Sequence, residues 1–192
     1  MVTTPREELT IEKYRSLSLI VGLIALAVVL KFFEIPYPPA PFLKYDVSGV
    51  PLAVVAYYSL KYSATSLLVY YVIPVLFGFD AVGMAMKCLA EASTFTPLVL
   101  VYKRLSKLGE TTRAGLAVAV SALVRVTIMI LANYAVTPHW LVWSYKMPYE
   151  DAYELTLLYM PHIVVFNLTI VLIIAPLTLI SVSILKRSGY LS

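Results

Sequence analysis

Glutamine is absent from this 192-residue sequence, cysteine occurs once, and asparagine occurs only at Asn133 and Asn167. The lone Cys88 excludes an internal disulfide framework and any zinc site built from cysteines. Charged residues make up 14%, where a soluble domain carries roughly a quarter. There is no glycine-rich phosphate loop, so the chain carries no ATPase of its own. His139 and His162 are not spaced as a metal pair, and no serine stands in a nucleophile-elbow sequence. The basic residues form no dense patch, which argues against nucleic acid as a partner. These absences give no support to an enzyme, a metal centre or a bound cofactor. Nor is a cleaved signal peptide expected. Glu7, Glu8 and Glu12 interrupt the basic N-terminal stretch, and no small-residue cleavage site follows the first apolar run. The scarcity of heat-labile amides fits the composition of a thermophile protein.

What is present is apolar: 60% of the residues are hydrophobic. They fall in runs suited to crossing about 30 Å of hydrocarbon, which takes about 20 helical residues. The runs predict an all-α integral membrane protein of one domain, residues 1–192, with six transmembrane helices over about 16–33, 49–60, 64–79, 81–102, 114–136 and 161–185. The stretch EIPYPPAP (34–41) has four prolines and breaks the chain after the first run. The second and third runs are short and also read as one helix kinked at 61–63. Charge placement favours two. Six helices put ten basic residues (Arg6, Lys13, Arg15, Lys61, Lys103, Arg104, Lys107, Arg113, Lys186, Arg187) on the side of both termini. Only Lys31, Lys44 and Lys146 fall on the other. By the positive-inside rule both termini are cytoplasmic and the protein is a multi-pass protein of the cell membrane, in contact with lipid. The long connection 137–160 holds Trp140 and Trp143, read as interfacial anchors, and a possible short outer helix over 149–158.

Charges within the membrane cost about 2.5–3.5 kcal/mol each on insertion scales, so each needs a reason. Glu91 and Arg125 fall near mid-membrane on consecutive helices and are expected to pair, as a structural lock or in a substrate or gating role. Lys87 lies one turn from Glu91 on the same helix face. It either shares that network or points into an outward cavity. Counting residues from the helix ends at about 1.5 Å each places Asn133 and Asn167 at one level, within about 3 Å, in the outer half of the bilayer. An amide offers both donor and acceptor, which suits a heteroaromatic ring or a polyol. The alternative use is hydrogen bonding between helices.

The stretch PFLKYDVSGVP (41–51), following KFFEIP (31–36), resembles the S components of energy-coupling-factor (ECF) vitamin transporters, most closely the riboflavin type. Leu43, Lys44, Tyr45, Asp46, Ser48, Val50 and Pro51 match the family's first outer loop, while Gly49 replaces its usual acid. PLVLVYKR (97–104), LANY (131–134) and FNL (166–168) are also similar. The riboflavin type carries a lysine where Ile170 stands here, and Lys87 and Glu91 replace its Ala-Asn-Phe. The resemblance implies capture of a vitamin, with riboflavin as transported ligand rather than cofactor. It implies a transmembrane coupling subunit and two cytoplasmic ATPase subunits as partners. Pantothenate or a pyrimidine-type vitamin, or a scaffold role without transport, are the alternatives. The substrate-binding residues expected are Phe42, Leu43, Lys44, Tyr45, Asp46, Lys87, Glu91, Asn133 and Asn167. Coupling-subunit contact is expected at Ser18 and Gly22, which keep a small-x-x-x-small spacing. For Asp46 and Ser48 the bland reading is that one of them caps the second helix.

Overall fold

The computed structural model describes residues 5–190, with side chains from Tyr14 onward. Six helices follow one another: α1 (Pro5–Lys31), α2 (Gly49–Tyr58), α3 (Leu60–Leu76), α4 (Ala81–Arg104), α5 (Glu110–Tyr145) and α6 (Tyr149–Arg187). The segment between α1 and α2 adds a short antiparallel ladder, β1 (Ile35–Pro36) on β2 (Lys44–Tyr45), with Ile35 opposite Tyr45. Among the described residues four helices are long and apolar enough to cross a membrane, over Tyr14–Lys31, Ala81–Arg104, Glu110–Tyr145 and Tyr149–Arg187.

The two short helices form a hairpin. Ser59 adopts an extended backbone (φ −156°, ψ 124°) and separates them. The Ser48 hydroxyl, eleven residues before this break, lies 2.6 Å from the Tyr70 hydroxyl, eleven residues after it. The break therefore falls ahead of the polar 61–63 stretch, and Lys61, Tyr62 and Ser63 belong to α3. At about 1.5 Å per residue, α2 spans about 15 Å and α3 about 26 Å. At the far end of α3 the chain turns through Gly78, whose φ of +90° a side chain would resist, and Asp80 caps α4 by accepting from the Gly83 amide.

The largest departure from the sequence expectation is in the last two helices. The stretch 137–160 is helix on both sides of a three-residue turn, 146–148. Lys146 ends α5 in the left-handed region (φ 57°), and Pro148 precedes α6. Pro138 and Pro161 lie inside the helices rather than ending them. A proline gives up one amide bond, and packing against a neighbouring helix makes that tolerable. α5 and α6 thus form one antiparallel hairpin, each helix over about 50 Å long and longer than the hydrocarbon core.

Arg15 lies over the Tyr190 ring at 4.0 Å, so the start of the α1 span and the end of α6 meet at one end of the bundle. The opposite end gathers the α1–α2 loop, the α3–α4 turn and the α5–α6 turn. Under that loop, Phe166, Ile170 and Ile174 of α6 pack with Tyr37, Leu43, Tyr45 and Val50.

Candidate functional site

At the loop end a cavity of about 400 Å³ opens between the α1–α2 loop and α4, α5 and α6. α5 contributes a stripe at helical spacing, Arg125, Met129, Asn133, Thr137 and Trp140. α4 contributes Met84, Lys87 and Ala90, and α6 contributes Phe166 and Asn167. Phe42, Leu43 and Lys44 close it from the loop. Phe42 is held there by ring contacts to Tyr159 (5.1 Å) and Trp140 (6.1 Å). The walls are aromatic and methionine-rich, with a few polar groups converging, as small-molecule sites usually are.

Of the nine residues named as substrate contacts, Phe42, Leu43, Lys44, Lys87, Asn133 and Asn167 line this cavity, and Tyr45, Asp46 and Glu91 do not. These three stand behind the wall. Tyr45 packs on Phe166 at 4.6 Å and hydrogen-bonds Thr169 at 2.6 Å. Asp46 is buried, and its Oδ1 accepts from the Ser48 amide (3.0 Å) and hydroxyl. That is a turn two residues long rather than a cap on the first turn of α2, and Ser48 at the N-cap position makes no side-chain cap bond.

An unbroken run of charges connects loop to floor. Glu34 of the loop contacts both Lys31 and Lys44. Lys31 Nζ is 3.7 Å from Asp46 Oδ2, and Lys87 Nζ is 3.1 Å from the same oxygen. Lys87 Nζ is also 2.9 Å from Glu91 Oε1, and Arg125 Nη1 lies 3.6 Å from it. Arg125 and Glu91 are each 1% exposed, so both charges are wholly desolvated. The guanidinium is further fixed by Nε donating to Asn167 Oδ1 (2.9 Å) and Nη1 donating to Thr94 Oγ1 (2.7 Å). The Glu91 carboxylate fits against Gly49: a Cβ there would overlap Oε2.

The two amides are not at one height. Asn167 is bonded to Arg125, and Asn133 lies eight residues, about 12 Å, further along α5 toward the loop end. Counting from the inner ends takes the two helices as level there, whereas contacts across the pair, Arg125 with Asn167 and Tyr134 with Tyr153, set the register. Asn167 therefore sits at the floor and Asn133 on the wall. Each amide NH₂ also donates one turn back along its own helix, to Ile163 O and Met129 O, both at 2.8 Å. Asn133 Oδ1 accepts from Thr137 (3.0 Å).

Trp140 is not the interfacial anchor that its place in the 137–160 connection suggests. It lines the cavity, and its buried indole N–H has no hydrogen-bond partner among the described residues. Trp143 is 65% exposed and does face outward. Arg125 was also missed as a lining residue. The i, i+4 stripe 125–129–133–137 was the available signal for both.

Burial would raise the Glu34 carboxyl, but the ammonium groups of Lys31 and Lys44 outweigh it and hold the pKa below the ordinary 4.5. A depressed carboxylate contributes stability above its unfolded pKa and loses it as pH falls through the folded value. The loop is therefore expected to loosen only below about pH 4.5. Hydrogen exchange of the 34–46 amides at pH 3.5 and pH 6 checks this. Equal protection, corrected for intrinsic rates, would count against the Glu34 clasp.

No family model matches the chain, and no curated protein sequence does. A solved structure does match: the S component of a bacterial ECF transporter, at 24% sequence identity, covering 91% of this chain and 97% of that one, with a TM-score of 0.73. The chain is thus a helical membrane bundle with the fold of an ECF S component.

Proposed function

We propose that this protein is the substrate-binding subunit of an ECF-type vitamin transporter and that its ligand is riboflavin. The observation that carries the reading is the cavity at the loop end. Phe42, Trp140, Phe166 and the methionines offer flat, polarisable surface to a fused ring. Asn133, Asn167 and Lys87 offer donors and acceptors to its polar edge and ribityl hydroxyls. Charge favours a neutral ligand. The cations Lys31, Lys44, Lys87 and Arg125 are each engaged by Glu34, Asp46 or Glu91 in and behind the wall, so an anionic vitamin such as pantothenate finds no cation without a carboxylate partner there. Lys87 also answers the absence of a lysine at position 170. Ile170 is closed within the apolar cluster beneath the loop, while Lys87 reaches the cavity from α4.

In this reading the loop end faces outward, the termini face the cytoplasm, and the chain binds without ATP. A coupling subunit and two ATPases supply the energy. Detergent-purified protein is expected to carry flavin, visible by absorbance and by mass spectrometry of its extract, and to be stabilised against heat by riboflavin more than by pantothenate or a pyrimidine. Protein that neither carries flavin nor gains heat stability from it would leave the flavin assignment without support.

Ser18 and Gly22 are exposed on α1, and nothing lies within 4 Å of the space a Cβ on Gly22 would take. Gly22→Leu is therefore expected to leave folding and ligand affinity unchanged but to block close approach of a coupling subunit. Loss of copurification with that subunit at unchanged flavin affinity is the result expected. Unchanged copurification would remove this face from the interface.

A further inference from the structure

A second cavity, about 660 Å³, lies at the terminal end of the bundle, opposite the first. It is walled by the end of α2 (Tyr57, Tyr58), the break at Ser59 and the first turn of α3 (Tyr62). α4 and its following loop add Tyr102, Lys103 and Ser106. Arg113 of α5 and Lys186 of α6 complete it. Three cations from three helices converge, and no lining residue is acidic. In the first cavity every cation has a carboxylate partner; here, among the described residues, Arg113 alone has one, Glu110, which stands outside the lining.

Lys103 and Lys186 sit in the last turns of α4 and α6, where a cation complements the helix dipole, and Lys103 Nζ also donates to the Tyr57 carbonyl at 2.5 Å. Arg113 is different. It lies in the first turns of α5, the end where the dipole disfavours a cation. Its Nη2 holds Glu110 and the Tyr102 hydroxyl (2.9 Å), but its Nε is buried and has no partner among the described residues. Glu110 is taken up by that contact and by the Tyr102 hydroxyl, so it does not neutralise the two lysines. α3 also begins at this cavity, with Ser59 and Tyr62 in the lining, and its first amide N–H groups have no side-chain cap from Ser59. Tyr58 and Tyr62 stack at 6.2 Å on the lip, both exposed.

From this arrangement we infer a binding site for a phosphate-type anion, either the phosphodiester headgroup of an anionic phospholipid or free phosphate. A phosphate offers several acceptor oxygens at once. An unpaired guanidinium N–H, two ammonium groups, hydroxyls of Ser59 and Ser106 and a helix N-terminus supply the donors.

The test uses the full chain in two arms. Thermal unfolding in detergent is followed against inorganic phosphate, with chloride at equal ionic strength as control. Native mass spectrometry compares lipid retained from nanodiscs of phosphatidylglycerol and of phosphatidylcholine. Ser106→Glu places a carboxylate on the exposed rim, and Lys186→Gln removes a cation that makes no hydrogen bond among the described residues. Each is expected to weaken anion binding about tenfold while leaving flavin affinity at the opposite end unchanged. Retention of phosphatidylglycerol without a phosphate effect assigns the site to a headgroup, and the reverse assigns it to the free anion. Absence of both, or responses equal in wild type and both variants, overturns the inference. So does stabilisation by polyglutamate alone, which would make the cavity a dock for an acidic protein.

Discussion

Glu91→Ala is expected to destabilise the protein by about 3–5 kcal/mol, the usual result of removing one partner from a buried charge pair. Glu91 is 1% exposed and takes Lys87 at 2.9 Å and Arg125 at 3.6 Å. Without it Arg125, equally buried, keeps among the described residues only neutral hydrogen-bond partners, Asn167, Thr94 and the Ala90 carbonyl. Thermal unfolding of detergent-solubilised protein measures the loss. Gly49→Ala tests the same contact from the other side. Its Cβ would overlap Glu91 Oε2 and fall 2.7 Å from Ile174 Cδ1. A carboxylate at the end of a flexible side chain ordinarily swings away at little cost, but this one is held by two buried cations. Displacing it adds a weakened ion pair to an overpacking cost of about 1–3 kcal/mol. The two substitutions are therefore expected to be non-additive: once Glu91 is alanine, Gly49→Ala costs only what Ile174 imposes. Strict additivity, or a loss below about 1 kcal/mol for Glu91→Ala, would show that the carboxylate does not carry this junction.

How far this network could be read in advance depended on the helix involved. Glu91, Lys87 and Arg125 announced themselves because a charge in an apolar run is costly and needs a partner, and one-turn spacing put two of them on one face. Lys31 and Asp46 did not. Each lies at a segment end, where a charge reads as solvated, and only the fold of the proline-rich loop brings Asp46 to Lys31 and Lys87. The same limit explains the length of α5 and α6. Past residue 136 the sequence turns polar and proline-bearing, which locally means loop. Pairing of the two helices with each other satisfies that stretch as helix instead, and a single left-handed residue, Lys146, marks the end. The heights of Asn133 and Asn167 differ from a count along each helix because the register of α5 on α6 is set by their side-chain contacts, not by where each helix ends. That both amides face one cavity survived, because their phase on the helix does not depend on where the helix stops.

Trp140 is the residue for which the extension of α5 matters most to binding. As a loop residue it would have been free to lie in the interface. On the helix it is carried on the same stripe as Asn133 and Arg125, into the cavity and against Phe42. Its ring and its N–H make separable contributions. The ring offers a large flat surface, and such anchors are commonly worth 2 kcal/mol or more on truncation, so Trp140→Ala is expected to weaken riboflavin binding by about 30–100-fold. The N–H is buried without a partner among the described residues, an arrangement that costs about 1–3 kcal/mol until an acceptor arrives. A flavin carbonyl entering the cavity supplies that acceptor. Trp140→Phe keeps an aromatic surface and removes the donor, so about a tenfold loss is expected. The empty protein should meanwhile become no less heat-stable, since an unsatisfied group has been deleted. Equilibrium dialysis gives the affinities without relying on fluorescence that the indole itself quenches, and thermal unfolding of the ligand-free variants separates binding from folding. If wild type, Trp140→Phe and Trp140→Ala bind flavin equally, the ligand does not enter between Trp140 and the first loop. If Trp140→Phe matches Trp140→Ala, the contribution lies wholly in the N–H, and the stacking half of the argument is lost.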